Sequence, residues 1–376
     1  MIYALLCIFG LYYLVLLLLI SGWQRAVSKD DTPNNASPEL ISVVVPFRNE
    51  KQNLPRLVDA LSGQNDTNFE VILVDDHSDD GSLALAETLL QDKAGFRLVR
   101  SRGEGKKLAL TTGLDVARGG IIAVTDADSV PASEWLSTLR RYFSDPDVKM
   151  VFGAVRIMSG KGMWNALQEM EFCSVLGAGV AMHAWKMPVF CNGANMAFNA
   201  EAFRHVGGYQ DNLQIPSGDD EFLLRKISAR YPDSIRFVNE TEAVVDTPPQ
   251  PTAASFLNQR IRWAGKWRFT RSVPSIVAAL FMALVQGSYL TLLGLGLFGL
   301  HARAVLFLVL GKALLEFILI FNVATYLNVR IRPAQFLLLQ AIYPFYVLVT
   351  GVLATFSTYN WKGRNLRPKG ATGSRV

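Results

Sequence analysis

Charged side chains are scarce in this chain of 376 residues: 18% of the residues are charged, whereas 50% are hydrophobic. Soluble globular domains carry about 25% charged residues, and disordered chains have too little apolar surface to form a core. The composition therefore excludes a disordered chain and argues against an ordinary soluble enzyme. Cysteine is scarce as well, and Cys7, Cys173 and Cys191 lie too far apart in the sequence to form a disulfide framework or a cysteine metal motif.

Acidic side chains are missing from the last fifteen residues, which contain five basic ones. Removing these five from the 37 basic residues leaves 32, which equals the 32 acidic residues of the chain. The net charge of +5 is thus confined to residues 362–376. A nucleic-acid-binding surface would spread its positive charge over a folded face, so we expect no nucleic-acid partner and interpret this segment as a basic tail beside a membrane.

The first twenty residues contain no charge and have the length of a membrane-spanning helix. A cleaved signal peptide would need a positive stretch before the apolar run and small residues at a cleavage site, and the sequence has neither. We predict a transmembrane helix over residues 1–22 and a polar linker over residues 23–40. Arg25 and Lys29 follow the apolar run, so the positive-inside rule places the next domain in the cytoplasm.

Long apolar stretches return towards the other end of the chain. Residues 272–302 and 333–361 carry no charge, and residues 305–327 carry only Lys312 and Glu316. These two side chains lie four residues apart on one helical face, where they can pair with each other. We predict about three transmembrane helices over residues 272–361, and therefore an integral protein of the cell membrane.

Two rules disagree about the basic tail. With the central domain in the cytoplasm, three complete C-terminal crossings would leave residues 362–376 outside the cell, against the positive-inside rule. A re-entrant apolar segment would remove the conflict, and residues 305–327 are the most costly to expose to lipid. The sequence favours three crossings, and the re-entrant alternative stays open.

Between the apolar ends, short β-rich runs alternate with helical stretches. The β-rich runs are ISVVVPF (41–47), FEVILVDD (69–76), FRLVR (96–100) and IIAVTDAD (121–128), and helical stretches over residues 53–62, 82–92 and 106–118 separate them. The alternation predicts an α/β domain with a mainly parallel sheet, in which the carboxyl ends of the strands meet at one edge. Open α/β sheets bind ligands at that edge.

Acidic residues follow three of these predicted strands: Glu50, the pair Asp75 and Asp76, and Asp126 with Asp128. Their mutual repulsion would be costly unless a cation or a hydrogen-bond donor binds there. Asp126 and Asp128 supply the hard oxygen ligands that Mg²⁺ or Mn²⁺ accepts, with coordination positions left for phosphate. The carboxylate of Asp76 can accept a hydrogen bond from the imide N–H of uracil or from ribose hydroxyls.

The order of the motifs resembles glycosyltransferase family 2, the inverting nucleotide-sugar transferases of the GT-A fold, over about residues 41–271. The matching segments are PFRNE (46–50), VDDHSDDGS (74–82), GKKLALTTG (105–113), DAD (126–128), FCNGANMAFN (190–199), GDDEFLL (218–224) and QRIRW (259–263). Two positions depart from the family pattern, Thr111 where asparagine is usual and Asp219 where glutamate is usual.

The resemblance implies a role for each motif. It implies donor contacts at Pro46, Arg48, Glu50, Asp76, Lys106, Asp126 and Arg262, acceptor contacts at Gly193, Asn195, Gln259 and Trp263, a divalent metal at Asp126 and Asp128, and catalysis by Asp220 as general base beside Asp219. An inverting transfer needs one such carboxylate to take the proton of the acceptor hydroxyl. A basic and aromatic cluster before a membrane helix is also typical of an interfacial anchor.

A further apolar stretch over residues 162–185 has Glu169 and Glu171 as its only acids. A core helix and an interfacial helix with acceptor contacts both fit this pattern.

These features predict an inverting membrane hexosyltransferase that moves a sugar from a nucleotide-sugar donor, with UDP favoured by the family, to a lipid acceptor. One N-terminal and about three C-terminal helices resemble the arrangement in ceramide glucosyltransferases. The alternative is a processive polysaccharide synthase of the cellulose or hyaluronan type, which shares the Gln-x-x-Arg-Trp motif but usually has more membrane helices. A membrane protein that only binds nucleotides is a third class, disfavoured by the complete set of site motifs. The donor sugar, the acceptor and the oligomeric state are not determined by the sequence.

Overall fold

The structure of the protein is a computed structural model. It describes residues 1–28, 33, 35–213, 215, 217–265, 273–356, 359–361 and 364–366. Part of the predicted linker and nearly all of the predicted basic tail therefore lie outside the described residues.

The described residues alternate strands and helices between long apolar helices. The helices are α1 Ile2–Val27, α2 Leu54–Ser62, α3 Ser82–Leu90, α4 Lys106–Val116, α5 Trp135–Tyr142, α6 Met163–Ala184, α7 Ala200–His205, α8 Asp219–Arg230, α9 Ala253–Ala264, α10 Val273–Leu297, α11 Ala302–Tyr326 and α12 Pro333–Phe356. The strands are β1 Ile41–Phe47, β2 Phe69–Asp75, β3 Phe96–Arg100, β4 Ile121–Val124, β5 Val130–Pro131, β6 Met150–Gly153, β7 Val155–Ile157, β8 Met196–Asn199, β9 Ile235–Val238, β10 Val245–Thr247, β11 Tyr359–Trp361 and β12 Arg364–Leu366.

A seven-stranded sheet in the order β3-β2-β1-β4-β8-β6-β9 forms the centre of the α/β domain. Strand β1 runs parallel to β2 and β4, β2 runs parallel to β3, and β6 runs parallel to β9. Strand β8 is antiparallel to both of its neighbours. The predicted α/β class with a mainly parallel sheet is confirmed, with β8 as the reversed strand.

Both faces of this sheet are covered, which is why its strands are continuous apolar runs. All seven residues of β1 are buried. Val43 and Val45 belong to one buried cluster and Val44 to another, as the two-residue period of a strand requires. A smaller sheet in the order β5-β10-β7 lies beside the main one.

Strand β4 is shorter than its β-rich run predicted. It ends at Val124, and the amide of Ser129 donates to the carbonyl of Asp126 (3.0 Å). The Asp126-Ala-Asp128 segment is therefore a turn after the strand and not part of it. A turn exposes both carboxylates at the sheet edge, whereas in a continued strand the two side chains, two residues apart, would both have pointed to one covered face of the sheet.

Four helices are long and apolar enough to span a membrane: Ile2–Val27, Ile276–Leu297, Ala302–Tyr326 and Pro333–Phe356. The predicted pairing of Lys312 with Glu316 is present at 2.9 Å, and Lys312 also donates to Gln340 Oε1 of α12 (2.8 Å). Tyr12 of α1 donates to the other oxygen of Glu316 (2.6 Å). Each charge thus has partners on neighbouring helices, which is what allows it to lie among apolar residues.

The α/β domain is fastened to the ends of two of these helices. Asn239 Nδ2 donates to the carbonyl of Val27 at the end of α1 (2.7 Å), and Arg156 donates to the carbonyl of Leu327 after α11 (3.1 Å). The last carbonyls of a helix have no partner within it, so these contacts satisfy polar groups that would otherwise be unpaired. The domain is thereby held against the C-terminal ends of both helices.

Candidate active site

The carboxyl ends of β1, β2 and β4 open into one cavity of about 430 Å³. It extends from the edge of the sheet to helix α6 and to the loop before β8. Of the sequence-predicted site residues, it brings together Pro46, Arg48, Glu50, Asp76, Lys106, Asp126, Asp128, Gly193, Asp219, Asp220, Gln259, Arg262 and Trp263. Asn195 is the predicted residue that does not line this cavity.

The loops after β1 and β2 are bound to each other. Arg48 donates to the carbonyl of Asp76 (3.0 Å) and to that of His77, and it pairs with Asp79 (3.2 Å). Asn49 has φ of 53°, a left-handed conformation that asparagine tolerates better than most residues. Its side chain exchanges hydrogen bonds with Asp79. Arg48 therefore shapes the loop that carries Asp76, in addition to lining the cavity.

Asp76 is held at the N-terminus of α4. Its Oδ1 accepts the amide of Gly105 (2.9 Å), the residue before α4, where φ is +106° and glycine is favoured. Further along α4, a side chain at Gly113 would collide with Val44 and Val74. Gly105 thus lets the chain bind Asp76 directly before α4 begins, and Gly113 lets α4 pack closely against the sheet.

Lys106, the first residue of α4, joins two acidic motifs. Its Nζ lies 2.8 Å from Asp126 Oδ1 and 2.9 Å from Asp219 Oδ2. Burial opposes the charge of Lys106, but the two carboxylates outweigh this effect and raise the pKa of its ammonium group. The lysine therefore remains charged and offsets the repulsion between two carboxylates that face the same cavity.

The second acidic motif lies in the first turn of α8, where the helix dipole favours negative charge. Gly218 precedes it with φ of +84°. Asp220 Oδ2 accepts the amide of Gly193 (3.2 Å). A Cβ on Gly193 would lie 3.3 Å from Asp219 Oδ2 and 3.5 Å from Lys106 Nζ, so glycine lets this loop approach the charged cluster closely.

The turn that holds Asp126 and Asp128 supplies two carboxylate ligands, which is part of the ligand set of a divalent metal ion. A bound substrate would have to supply further ligands. The described residues contain no group of three or more His, Cys, Asp or Glu side chains arranged around a metal position. Mg²⁺ and similar ions are commonly held by one or two carboxylates together with substrate phosphates. Both carboxylates are half-buried in the cavity wall, so they fit such an ion if a diphosphate supplies further oxygens.

Asn195 occupies a different place from the predicted acceptor contact. Its side chain is 0% exposed. The Nδ2 group donates to the carbonyls of Ala154 and Ala243 (2.8 Å each), and Oδ1 accepts the indole N–H of Trp135 (2.9 Å). These three bonds tie together the ends of separate elements beside the site. Asn195 thus supports the site from within the core, which spacing along the chain could not reveal.

Helix α9 presents the Gln-x-x-Arg-Trp motif to the cavity through Gln259, Arg262 and Trp263. The ring of Trp263 packs against Phe172 of α6, with centroids 6.4 Å apart. Thr252 caps the helix by accepting the amide of Ser255, whose hydroxyl group in turn accepts the amide of Thr252. The motif is therefore displayed by a helix with a fixed beginning.

The other half of the cavity is apolar. Its wall is formed mainly by one face of α6 and by the loop before β8: Phe172, Val175, Leu176, Gly179, Val180, Val189 and Phe190. The ring of Phe190 fills the space above Gly179, where any side chain would collide with it. Helix α6 also packs against α1 and α11, and Gly177 lies against Val323 of α11. The apolar half of the cavity therefore adjoins the apolar helices.

Comparison with known proteins assigns a family to the part of the chain that carries the site residues from Pro46 to Gly193. Residues 42–207 match the family described as glycosyl transferase family 2. The chain carries a glycosyltransferase family 2 domain. A mannosyltransferase from Pyrobaculum calidifontis, solved with GDP-Man and Mn²⁺, has a similar structure with a TM-score of 0.56 over 95% of this chain and 99% of that chain. At 19% identity, this likeness shows that the family 2 domain has the GT-A type of fold.

Curated relatives of the family 2 domain are more similar in sequence. An undecaprenyl-phosphate 4-deoxy-4-formamido-L-arabinose transferase of Aeromonas hydrophila is 39% identical over 104 residues, which are 25% of this chain and 31% of that protein. The glycosyltransferase AglE of Haloferax volcanii is 28% identical over 226 residues, 59% of this chain and 71% of that protein. In three of the curated relatives, the match spans between 31% and 41% of the protein.

Sequence reasoning missed the residues that support the motif of α9. Arg260, an unassigned position within the motif, forms a buried ion pair with Glu171 of α6. An isolated pair of acids in an apolar stretch was the available signal for a buried partner, since a buried carboxylate needs one. The identity of that partner depended on how α6 and α9 pack.

The assignment of Asn195 to the core leads to a stability prediction. Asn195→Ala should lower the apparent melting temperature in detergent by about 6 °C or more, because it leaves two carbonyls and one indole N–H buried without partners, at about 1–3 kcal/mol each. The exposed Asn65→Ala serves as the control and should melt close to wild type. If Asn195→Ala melts like wild type and loses only acceptor-dependent activity, the result would instead support Asn195 as an acceptor contact.

Proposed function

We propose that the protein is an inverting glycosyltransferase that moves a sugar from a nucleotide-sugar donor, with UDP-sugars favoured, to the hydroxyl group of a lipid acceptor. The observation that carries the proposal is the continuity of the cavity. Its charged half lies at the sheet edge, and its apolar half lies along α6, which packs against the apolar helices. A donor and a lipid can thus meet inside one cavity.

The charged half suits a nucleoside diphosphate. Asp76 is proposed to contact the base, with Arg48, Glu50 and Pro46 beside the nucleoside. Asp128, assisted by Asp126, is proposed to hold Mg²⁺ or Mn²⁺, and the Mn²⁺ in the related mannosyltransferase supports a divalent ion. Such an ion would neutralise charge on the diphosphate of the donor.

The chemical step assigns a separate role to Asp220. Its carboxylate takes the proton of the acceptor hydroxyl while the acceptor oxygen forms a bond to the anomeric carbon. The bond from that carbon to the phosphate oxygen breaks on the opposite side, and the nucleoside diphosphate leaves with the electron pair. Lys106 and Arg262 line the cavity as positive charges that favour this departure. Asp219 is proposed to orient Lys106.

The apolar half suits the hydrocarbon part of an acceptor. Gly193, Gln259 and Trp263 line the same cavity and are proposed to contact the acceptor. Gly193 donates to Asp220, and the ring of Trp263 packs against Phe172 of the apolar wall. The name of the Aeromonas relative also refers to a polyprenyl phosphate. Since the apolar helices adjoin α6, the acceptor can reach the cavity from the membrane.

The orientation follows from the donor and from the charges beside α1. Nucleotide sugars are cytoplasmic, and Arg25 lies in the last turn of α1, on the side of the α/β domain. The positive-inside rule therefore supports a cytoplasmic α/β domain on a protein integral to the cell membrane.

A product screen tests the proposed function. Membranes that contain the protein are incubated with radiolabelled UDP- and GDP-sugars, and the lipid fraction is analysed by mass spectrometry. We expect one glycolipid that carries a single added sugar, and none from membranes with Asp220→Asn. A ladder of polymer products would instead support the polysaccharide synthase, and nucleotide binding without any product would overturn both enzyme assignments.

The separate roles of Asp128 and Asp220 predict different losses. Asp128→Ala should weaken Mn²⁺-dependent nucleotide binding at least tenfold and abolish transfer, because the diphosphate loses its counterion. Asp220→Asn should abolish transfer but leave nucleotide binding within about twofold, since amide and carboxylate have nearly the same shape. Calorimetric titration with nucleotide, with and without Mn²⁺, gives the comparison, and the exposed Asp92→Asn is the control. An equal loss of binding in both variants would contradict the assignment of Asp220 as base.

A further inference from the structure

A buried ion pair stands directly behind the acceptor half of the cavity. Arg260 Nε donates to Glu171 Oε1 (2.9 Å), and a second guanidinium nitrogen donates to the other carboxylate oxygen. The two side chains are 6% and 5% exposed. The attraction within such a pair offsets the cost of desolvating two charges only when its geometry is good. Stability alone therefore does not explain why an ion pair is buried at this position.

The guanidinium group of Arg260 also contacts the residues that α9 presents to the cavity. It lies 4.4 Å from the ring centroid of Trp263 and 4.4 Å from that of Phe256, and it donates to Gln259 Oε1 (2.5 Å). Neither Arg260 nor Glu171 lines the cavity itself. The pair therefore acts on the cavity only through its neighbours.

We propose that Arg260 and Glu171 are positioning residues that fix Gln259 and Trp263 in the orientation needed to hold the acceptor. The proposal rests on the proposed function. Glu171 lies on α6 and Arg260 lies on α9, so their ion pair joins the two helices. The indole ring of Trp263 packs on the planar guanidinium group of Arg260. Lysine would keep the charge but could not bind the carboxylate through two nitrogens while also lying flat against the ring.

The test uses Arg260→Lys together with a double variant, Arg260→Met with Glu171→Met. The double variant removes both charges and retains apolar volume, so it avoids leaving one buried charge alone. Transfer from the radiolabelled donor to a total lipid extract is measured over a range of extract and donor concentrations. We expect at least a threefold rise in the lipid concentration for half-maximal rate with Arg260→Lys and at least a tenfold rise with the double variant. Nucleotide binding should stay within about twofold in both.

The results separate this proposal from the proposed function. An unchanged lipid dependence in the folded Arg260→Lys variant, or a parallel loss of nucleotide binding, would show that the pair has only a structural role. If the wild-type protein shows no transfer at all, that result would instead contradict the proposed function.

A second inference rests on the contacts of α12 with the rest of the molecule. The buried cluster at the end of the helix bundle far from the α/β domain consists of residues of α1, α10 and α11: Leu5, Phe9, Tyr289, Leu292, Leu295, Val305 and Leu308. Among the described residues, none of α12 belongs to it. A helix of 24 residues that crossed the membrane would extend about 36 Å and would reach this end.

Helix α12 instead packs against α6, α9, α10 and the middle of α11. The first half contacts α11, with the ring of Phe336 against Phe317 (5.2 Å between centroids) and Gln340 at the charged pair Lys312 and Glu316. Pro344 then removes one helical hydrogen bond, which permits a bend. After it, Tyr346 donates to Glu171 of α6 (3.2 Å).

The end of α12 lies back at the α/β domain. The carbonyl oxygen of Ala354 lies 3.9 Å from the position of a Cβ on Gly265, directly after α9, and strand β11 contacts α9 as well. The loop before α12 is also near the domain, since it starts at Leu327, whose carbonyl accepts a hydrogen bond from Arg156 of β7 (3.1 Å). Both ends of α12 therefore lie on the same side of the bundle.

We infer that α12 is a re-entrant helix, in the sense that it starts and ends on the side of the α/β domain and lies obliquely in the bundle without crossing it. The chain then crosses the membrane three times, through α1, α10 and α11, and continues after α12 on the side of the α/β domain. This differs from the three C-terminal crossings that the sequence favoured, and it assigns the re-entrant segment to residues 333–356 and not to 305–327. The charge pattern agrees, because the basic residues 362–376 then lie on the same side as Arg25, Arg330 and Arg332.

Cysteine labelling tests this topology in intact cells. On a background without the native cysteines, single cysteines are introduced by Ser374→Cys, by Asp92→Cys on the α/β domain and by Phe298→Cys between α10 and α11. We expect an impermeant maleimide to label position 298 in intact cells, and positions 92 and 374 only after the cells are opened.

The comparison of positions 92 and 374 decides the outcome. Labelling of 374 together with 298, and opposite to 92, would show that α12 crosses the membrane and would overturn the inference. Labelling of 92 and 374 but not 298 in intact cells would reverse the proposed orientation and still support the re-entrant helix.

Discussion

The ammonium group of Lys106 is the contact on which the arrangement of the site depends. It lies between Asp126, which follows β4, and Asp219, which begins α8 far along the chain. Two further carboxylates, of Asp128 and Asp220, face the same cavity. Without a fixed positive charge, these groups would repel each other and drive the turn after β4 away from α8. The lysine thus holds the proposed metal-binding turn and the proposed base within one cavity before any ligand binds.

Helix α6 provides the second constraint, because it contacts the cavity, the α9 motif and the apolar helices. One face forms the apolar wall of the cavity, while Glu171 binds Arg260 of the α9 motif and Gly177 lies against α11. The sequence left two interpretations of this helix open, a core helix and an interfacial helix with acceptor contacts. The structure combines features of both, since the helix is largely buried, one face lines the cavity, and its C-terminal half packs against α1 and α11 through Trp185, directly after its end, and Gly177.

The parts of the fold that could be predicted from sequence are those set by local pattern. The first three strands and the helices between them follow from apolar runs and turn residues, and the gathering of Asp76 and Asp126 at one edge follows from parallel topology. The partners of Asn195 and Arg260 could not be predicted, because they come from segments more than forty residues away whose approach depends on packing. The extent of β4 was overestimated, since the apolar run gave no sign that the chain turns at Asp126. For α12, composition indicates an apolar helix but carries no information about where its two ends lie.

The hydrogen bonds from Asn239 to Val27 and from Arg156 to Leu327 have a consequence for substrate choice. They join the α/β domain to two helices whose height in the bilayer is set by their own apolar length. These contacts couple the height of the acidic residues in the cavity to the position of the two helices in the bilayer. Under the proposed function, acceptor choice then has a second determinant beside the contacts with Gln259 and Trp263: the depth at which the acceptor hydroxyl lies in the bilayer must match the height of the acidic residues.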